Sequence, residues 1–255
     1  MTLPFPDLLT IAGVTVFCVG MAIASYVRKV FDLSGSLTAF GVGMVIGICG
    51  DVLWLVLLLV FLITSFGLTK YRYEWKKSQG FQEGQKGERT WRNVAANGAV
   101  PTLIALFSFL ADAGGIAFFS KDVASFLFVS AIAVAASDTA ASEIGIIDPR
   151  VYLITTFKRT PRGRDGGISL TGTFVAFIAA AYTSAVSYVV FAGLDKDLLA
   201  GPATLFVPML CGFLGCQIDS LIGATLETRG RIGKLGNNFF SILAGTFIAL
   251  AIALF

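Results

Sequence analysis

A polar stretch next to an apolar segment carries the residues of this sequence that could do chemistry. Residues 137–145 (SDTAASEIG) follow the apolar run 123–134 and contain two carboxylates and three hydroxyls. Ionised carboxylates within a bilayer usually face a cavity, an ion or a partner. Asp138 and Ser142 lie on one face of a helix. Asp138 and Glu143 lie roughly 140° apart around it. These two carboxylates would share a ligand only if the helix breaks or if their side chains extend around the helix. The stretch predicts a metal or phosphate site in a membrane.

A second set of carboxylates lies in residues 217–227. Asp219, Gly223 and Glu227 recur every four residues, and Ser220 lies beside that face. Oxygen ligands of this kind suit a hard cation such as Mg²⁺ better than zinc. Gly223 would allow a helix or a ligand to approach closely, whereas Glu227 is equally well explained as a carboxylate at a helix end.

A stripe of donors precedes and enters the fourth apolar run. Lys86, Arg89, Asn93 and Asn97 follow spacings of three, four and four, which places them along one face of a helix. Arg grips a phosphate through two parallel hydrogen bonds, and neighbouring amides can satisfy the remaining oxygens. The alternative is a charge that extends toward water at a helix end, with amides that join helices.

A glycine turn joins a basic loop to the sixth apolar run. Gly166, Gly167 and Ser169 stand where a helix start would leave backbone N–H groups free, so that an anion could bind. The turn lacks the spacing and the Lys of a P-loop. A flexible entry turn with a Ser or Thr cap is the alternative interpretation.

Two adjacent amides, Asn237 and Asn238, precede the last apolar run. Asn is common as a helix cap, and capping is the first interpretation of the pair. The second is that they reach a bound nucleotide. Asp51, between the second and third apolar runs, has no explanation from the sequence.

Composition identifies a membrane protein. The chain has 255 residues, of which 56% are hydrophobic and 14% charged, with a mean hydropathy of +0.81, whereas about a quarter of the residues of a soluble domain are charged. Histidine is absent, which removes the commonest general base and transition-metal ligand. The four cysteines lie in apolar runs without a CxxC pair and are expected to pack. We expect one membrane domain over 1–255 and no nucleic-acid partner.

The apolar runs predict an all-α, polytopic transmembrane bundle of about eight spans, with seven to nine permitted by the length. The runs are 8–27, 37–50, 52–69, 94–110, 123–147, 168–194, 198–226 and 239–255. The run 37–50 is short for a span. With eight spans, 17 of the 19 Lys and Arg residues fall on one side, so the positive-inside rule places both termini outside and the basic loops in the cytoplasm.

The four sets around Arg89, Asp138, Gly166 and Asp219 then fall at the cytoplasmic ends of spans four to seven. Basic donors, carboxylates and glycines gathered at the boundary of water and lipid suggest a phosphorylated or nucleotide substrate that arrives from the cytosol. The other substrate would enter from the bilayer. We therefore expect a multi-pass membrane protein whose active site faces the cytoplasm.

Four blocks carry a resemblance to a known family. They are 87–98 (GERTWRNVAANG), 138–145 (DTAASEIG), 166–169 (GGIS) and 219–225 (DSLIGAT). They resemble the blocks of the polytopic membrane family that includes the phytyl-phosphate kinase of vitamin E metabolism, and the similarity covers essentially the whole chain. The D-T-A-A block is more distantly similar to CTP-dependent dolichol kinases.

The resemblance implies transfer of a phosphoryl group from CTP, or another nucleoside triphosphate, to an isoprenoid monophosphate such as phytyl or geranylgeranyl phosphate. On this hypothesis Mg²⁺ is held by Asp138, Glu143 and Asp219. Asp138, Arg89 and Asp219 are the catalytic candidates. The candidates for binding substrate or nucleotide are Lys86, Asn93, Asn97, Ser142, Gly166, Gly167, Ser169, Ser220, Gly223, Asn237 and Asn238.

Two other functions fit part of the pattern. A cytidylyltransferase would make a CDP-activated lipid from the same substrates and release pyrophosphate. A transporter would use intramembrane carboxylates as an ion path, with charges near the midplane or on both sides and an internal inverted repeat. The sequence shows no such repeat, and its polar clusters lie at one side.

Overall fold

The computed structural model describes residues 5–82, 84, 87–116, 118–194 and 201–254, the side chains of 192–194 excepted. The helices are α1 (Leu8–Val27), α2 (Leu33–Val45), α3 (Val52–Lys70), α4 (Tyr73–Ser78), α5 (Trp91–Gly114), α6 (Lys121–Gly145), α7 (Leu170–Leu194), α8 (Ala203–Ile222) and α9 (Lys234–Leu254), and the strands are β1 (Val151–Leu153), β2 (Arg159–Thr160) and β3 (Gly167–Ile168). Within the described residues, every helix except α4 is long and apolar enough to span a membrane, α2 and α8 with the π-helical turns that extend them. The predicted all-α bundle of eight spans is confirmed.

Helix α6 occupies the centre of the bundle and is almost entirely buried. Helices α3, α5, α7, α8 and α9 all contact it. Small residues let membrane helices approach closely, and Gly215 of α8 and Gly245 of α9 both lie against Val134, where a Cβ would come within 2.5 Å of a methyl carbon. These contacts bring α8 and α9 directly onto α6 and so place their polar ends beside its own.

Trp54 anchors α3 to α6. Its ring is fully buried and stacks on Phe128 with the ring centroids 4.3 Å apart. Its indole N–H donates to the hydroxyl of Ser125 at 3.1 Å. A buried Trp needs such a partner for its N–H, so this contact fixes how α3 packs on the central helix.

The second span is longer than its apolar run suggested. Helix α2 begins at Leu33 and continues as a π-helical turn, Ile46–Gly50, which gives 18 residues in all. Asp51 then caps α3, because its carboxylate accepts from the N–H of Leu53 at 2.8 Å, and it pairs with Lys121 at 2.5 Å. The carboxylate that the sequence left unexplained is therefore structural.

The connection between α6 and α7 forms a small antiparallel sheet in the strand order β2-β1-β3. Val151 lies opposite Thr160, and Tyr152 lies opposite Ile168. The sequence predicts only a basic loop here, since strands of two or three residues are too short to show a pattern of alternation. The sheet folds the loop back toward the polar end of α6.

Asp148 fastens this connection to the helices. Its carboxylate accepts from the backbone N–H of Arg150 at 2.9 Å and from the hydroxyl of Thr171 at 2.7 Å. These hydrogen bonds favour the ionised form and hold the pKa of Asp148 below its ordinary value. The side chain thus joins the start of the sheet to the first turn of α7.

Successive spans cross the bundle in opposite directions. The connections that follow α1, α3, α6 and α8 therefore all lie at the same end. We call this end the basic end, since it carries most of the Lys and Arg residues. Its assignment to the cytoplasm stays a prediction from the charge distribution.

Candidate functional site

A polar cavity of about 340 Å³ opens at the basic end. It lies between the last turns of α6 and α8, the first turns of α7 and α9, and the connection that holds the small sheet. The predicted residues that line it are Asp138, Ser142, Glu143, Gly166, Gly167, Ser169, Asp219, Ser220, Asn237 and Asn238. The polar ends of spans five to eight thus form one wall, and Ser142, Ser220 and Asn238 stand on its accessible part.

Two carboxylates meet in this cavity. Asp138 of α6 and Asp219 of α8 both line it, close enough for their charges to interact. Two ionised carboxylates at this separation repel each other unless a cation or a shared proton lies between them. The pair is therefore suited to hold a positively charged ligand.

Asn237 supports the pair from α9. Its side-chain N–H group donates to Asp219, at 3.2 Å to the carbonyl and 3.4 Å to the carboxylate, and to the carboxylate of Glu227 at 3.0 Å. Only 4% of Asn237 is exposed. One oxygen each of Asp219 and Asn237 is buried without a hydrogen-bond partner among the described residues. Because Asn237 lies inside α9, it does not cap that helix, and it lines the cavity.

Glu143 belongs to a different cluster. Its carboxylate lies 2.5 Å from the ammonium of Lys76 and accepts from the hydroxyl of Thr69 at 2.6 Å. Arg89 lies 3.7 Å from it. Helix α6 runs unbroken to Gly145, so five residues turn Glu143 away from Asp138, as an intact helix requires.

The predicted Mg²⁺ set is not assembled as a whole. Among the described residues, no group of three or more Asp, Glu, His or Cys side chains is arranged to hold a metal ion. Asp138 and Asp219 lie together, whereas Glu143 lines the cavity with both oxygens engaged elsewhere. Asn237, for which capping was the first interpretation, contacts Asp219 of the pair through its side-chain N–H group.

The glycine turn packs instead of forming an open cradle. Gly166 has φ of +74°, and a Cβ there would come 2.3 Å from that of Ala224 in the π-helical turn Gly223–Glu227. Gly223 in return lies against the backbone nitrogen of Gly166. The N–H of Gly167 donates to the carbonyl of Arg164 at 2.9 Å. The expected row of free N–H groups is thus wrong for Gly167, since a tight turn uses it.

Ser169 caps α7, as the alternative interpretation proposed. Its hydroxyl oxygen accepts from the N–H of Gly172 at 3.0 Å. The side chain is buried against Gly145, where α6 and α7 are in close contact. Its role at the cavity is to fix the start of α7.

The stripe of Arg89, Asn93 and Asn97 lines a neighbouring cavity instead of the polar one. The carboxamide oxygen of Asn93 accepts from the backbone N–H of Thr90 at 3.2 Å and completes the cap of α5. Asn97 donates to the carbonyl of Asn93 at 3.0 Å, and its own oxygen is buried without a partner among the described residues. Lys86 lies outside the described residues.

Arg89 links the two cavities electrostatically. Its backbone pairs with the segment before α2, because its N–H donates to Val30 and its carbonyl accepts from Asp32. Its guanidinium donates to Thr69 at 3.1 Å and lies close enough to Asp138 for a charge interaction. One cation therefore faces both the Glu143 cluster and the aspartate pair.

Three cations at the site escaped the sequence analysis. Lys234, in the first turn of α9, and Arg164, before β3, both line the polar cavity, and Lys234 interacts electrostatically with Asp138. Lys76 is 1% exposed and holds Glu143. Lys76 and Arg164 stand in a short helix and a loop, and Lys234 follows directly on a loop, all rich in Lys and Arg, where spacing does not distinguish a cation of the site from a solvated one.

Comparisons with known proteins agree with this architecture. The model of the family described as Integral membrane protein DUF92 matches residues 16–238. Protein PGR of Arabidopsis thaliana is 32% identical over 222 residues, which cover 82% of this chain and 76% of PGR. An uncharacterized membrane protein of Methanocaldococcus jannaschii is 32% identical over 200 residues, or 78% of this chain and 76% of that protein.

A further relative is Protein VTE6, chloroplastic, of Arabidopsis thaliana, 30% identical over 198 residues, which cover 76% of this chain and 56% of VTE6. No solved structure matches the chain significantly. The family match includes all four blocks that carried the resemblance. The chain belongs to the DUF92 family of integral membrane proteins.

Proposed function

We propose that the chain is a membrane isoprenoid monophosphate kinase. It would transfer a phosphoryl group from CTP, or another nucleoside triphosphate, to a lipid monophosphate and give the diphosphate, with Mg²⁺ as cofactor. The observation that carries the proposal is the pair Asp138–Asp219, with an unpartnered carboxylate oxygen, in a polar cavity beside Arg89. The resemblance to the family of the phytyl-phosphate kinase supplies the reaction, and the similarity to VTE6 supports it.

The donor set fits Mg²⁺. This ion is usually held by one or two carboxylates and by phosphate oxygens, and it keeps several waters. Asp138 and Asp219 would supply the carboxylates, and the unpartnered oxygen of Asn237 would supply a neutral ligand. Bound there, the ion would neutralise phosphate charge and align the reacting groups.

The polar cavity suits a nucleoside triphosphate. Its volume of about 340 Å³ lies within the range of small-molecule sites, roughly 300–1,000 Å³. Lys234 and Arg164 place two cations on its wall, and both side-chain types bind phosphates. These cations would bind the phosphates of the nucleotide beside the ion that Asp138 and Asp219 would hold.

The transfer balances without a general base. An ionised oxygen of the acceptor phosphate attacks the γ-phosphorus, and the new P–O bond forms there. The bond from that phosphorus to the bridging oxygen of the β-phosphate breaks, and its electron pair leaves with the nucleoside diphosphate. No proton has to be removed, so catalysis is mainly alignment and charge neutralisation. Arg89 would hold the acceptor phosphate, and a chain without His suits this chemistry.

The test is a product assay on purified protein in detergent, with Mg²⁺, CTP or ATP, and geranylgeranyl or phytyl monophosphate. Isoprenoid diphosphate with nucleoside diphosphate, lost in Asp138→Asn and kept in Asp122→Asn, supports the kinase. Asp122 is an exposed residue at the opposite end of α6. Pyrophosphate with a nucleotide-linked lipid would instead indicate a cytidylyltransferase. Absence of turnover with every chain length and nucleotide would favour transport.

A further inference from the structure

A second cavity, of about 130 Å³, lies between α1, α2, α3 and α5. Most of its wall is apolar, with Phe17 and Ala22 from α1, Val42 from α2, and Leu58 and Leu62 from α3. Such a wall offers nothing to a nucleotide. It is complementary to a hydrocarbon chain.

The polar groups of this cavity are concentrated toward the basic end. Arg89 stands immediately before α5, and Asn93 and Asn97 occupy the first two turns of that helix. On α3 the cavity extends from Ser65 to Leu55, ten residues or about 15 Å of helix. The cavity is therefore amphipathic along its length, with a cation and amides at one end and aliphatic side chains beyond.

One buried hydrogen-bond acceptor at the polar end of this cavity is available to a ligand. The carboxamide oxygen of Asn97 is buried and has no hydrogen-bond partner among the described residues. A buried acceptor without a partner is unfavourable, because it has lost its hydrogen bonds to water. A ligand headgroup, with its bound water, would satisfy it.

We propose that this cavity binds the isoprenoid chain of the acceptor lipid and that Arg89 holds its phosphate. The inference rests on the proposed function and names the place of the second substrate. The guanidinium provides the charge complementarity, since an Arg binds a phosphate monoester through two parallel hydrogen bonds. The aliphatic wall takes the first isoprene units, and the remainder of the chain lies in the bilayer.

The position of Arg89 joins this cavity to the polar one. Arg89 lines the apolar cavity, Glu143 lines the polar cavity, and the two side chains lie 3.7 Å apart. A phosphate on Arg89 would thus reach the boundary with the cavity that holds Asp138. The chain and the nucleotide enter from different sides and meet at this boundary.

A binding experiment tests the occupant without turnover. The probe is a geranylgeranyl monophosphate that carries a diazirine near its phosphate-proximal isoprene unit, photolysed with the purified protein and mapped by mass spectrometry. Labels on peptides of α1 and α3 that line the cavity, reduced by unlabelled geranylgeranyl monophosphate and by Ala22→Phe, support the proposal. Labels spread over lipid-facing positions of α7 and α8, unchanged by the competitor, would overturn it.

Matched variants test it kinetically. Ala22 lines the cavity, whereas Ala24 on the same helix is exposed and outside it. Ala22→Phe should lower kcat/KM for geranylgeranyl monophosphate by about tenfold or more and leave KM for CTP within twofold, whereas Ala24→Phe should leave both constants unchanged. Ala39→Phe, from α2, repeats the test with a second helix. Equal effects of Ala22→Phe and Ala24→Phe would contradict the proposal. Cavity labelling without any product in the wild type would refute the kinase reaction and keep the lipid site.

Discussion

Lys76 and Glu143 form a buried ion pair, with the ammonium nitrogen 2.5 Å from a carboxylate oxygen. Lys76 also donates to the carbonyls of Leu68 and Thr69, at 3.0 and 3.3 Å. The pair thus joins α4 and the end of α3 to the last turn of α6. It holds α4 against the helix that carries Asp138.

Lys76→Met should destabilise the protein strongly, because it leaves Glu143 buried without its cation. Loss of one partner of a buried pair typically costs about 3–5 kcal/mol. Lys77→Met changes an exposed neighbour on the same helix and should stay within about 0.5 kcal/mol of the wild type. Thermal unfolding of the purified variants in detergent measures the difference. Equal unfolding temperatures for the two variants would show that the pair adds nothing.

Asp219→Asn should raise the Mg²⁺ concentration for half-maximal activity and lower kcat by about 10²–10³-fold, the usual cost of losing a preorganised electrostatic group. Glu143→Gln is the comparison, because Glu143 is engaged by Lys76 and Thr69. It should leave the Mg²⁺ requirement unchanged. A shift of that requirement in Glu143→Gln as large as in Asp219→Asn would restore Glu143 to the metal set.

Patterns along the chain account for the part of this structure that the sequence predicts. Long apolar runs and the distribution of Lys and Arg suffice for eight spans and for a basic end. The spacing also places Asp138 and Asp219 at the same end of spans five and seven, whereas their sharing of one site is implied by the family resemblance. The fold and the end of the bundle that carries the polar residues are therefore predictable from composition and spacing.

Contacts between distant segments explain the rest. Whether Glu143 joins Asp138 depends on the helix staying intact and on Lys76, 67 residues away, reaching it. The sequence around Gly166 is typical of a phosphate-binding turn, whereas in the structure Gly166 packs against Ala224. Neither contact produces a periodic pattern in the sequence. The sequence therefore favours a ligand-binding role for both Glu143 and Gly166.

Gly166→Ala should destabilise the loop at the site through steric overlap. A methyl group there would meet Ala224 at 2.3 Å, and φ of +74° disfavours any side chain. Gly230→Ala is the matched control, because Gly230 has φ of +68° with open space around it. It should cost only the backbone strain, about 1–2 kcal/mol, and Gly166→Ala about 1–3 kcal/mol more for the overlap. Thermal unfolding compares them, and equal losses would show that the turn yields to the methyl group.

Asp148 should give stability that depends on pH. The hydrogen bonds from Arg150 and Thr171 lower its pKa in the folded protein. Because the folded pKa is depressed, the stabilisation is fully present above the unfolded pKa, about 3.9, and is lost as the pH falls through the folded pKa. The unfolding temperatures of wild type and Asp148→Asn should differ most near neutral pH and converge below about pH 4. In Thr171→Val the folded pKa should be less depressed, so the loss should be smaller and complete at a higher pH. A gap that stays constant down to pH 3 would contradict the assignment.

Arg89→Lys should weaken binding of the acceptor phosphate and leave binding of the nucleotide unchanged. Lys keeps the charge but cannot form the two parallel hydrogen bonds of a guanidinium with a phosphate. We expect KM for the lipid monophosphate to rise about tenfold, or about 1.4 kcal/mol, while KM for CTP stays within twofold. Arg92→Lys is the control, since Arg92 is exposed and lies over the ring of Trp91. Initial rates with each substrate varied in turn separate the two constants. A rise confined to the nucleotide KM would place Arg89 on the donor phosphates, and the apolar cavity beside it would then need a different headgroup partner.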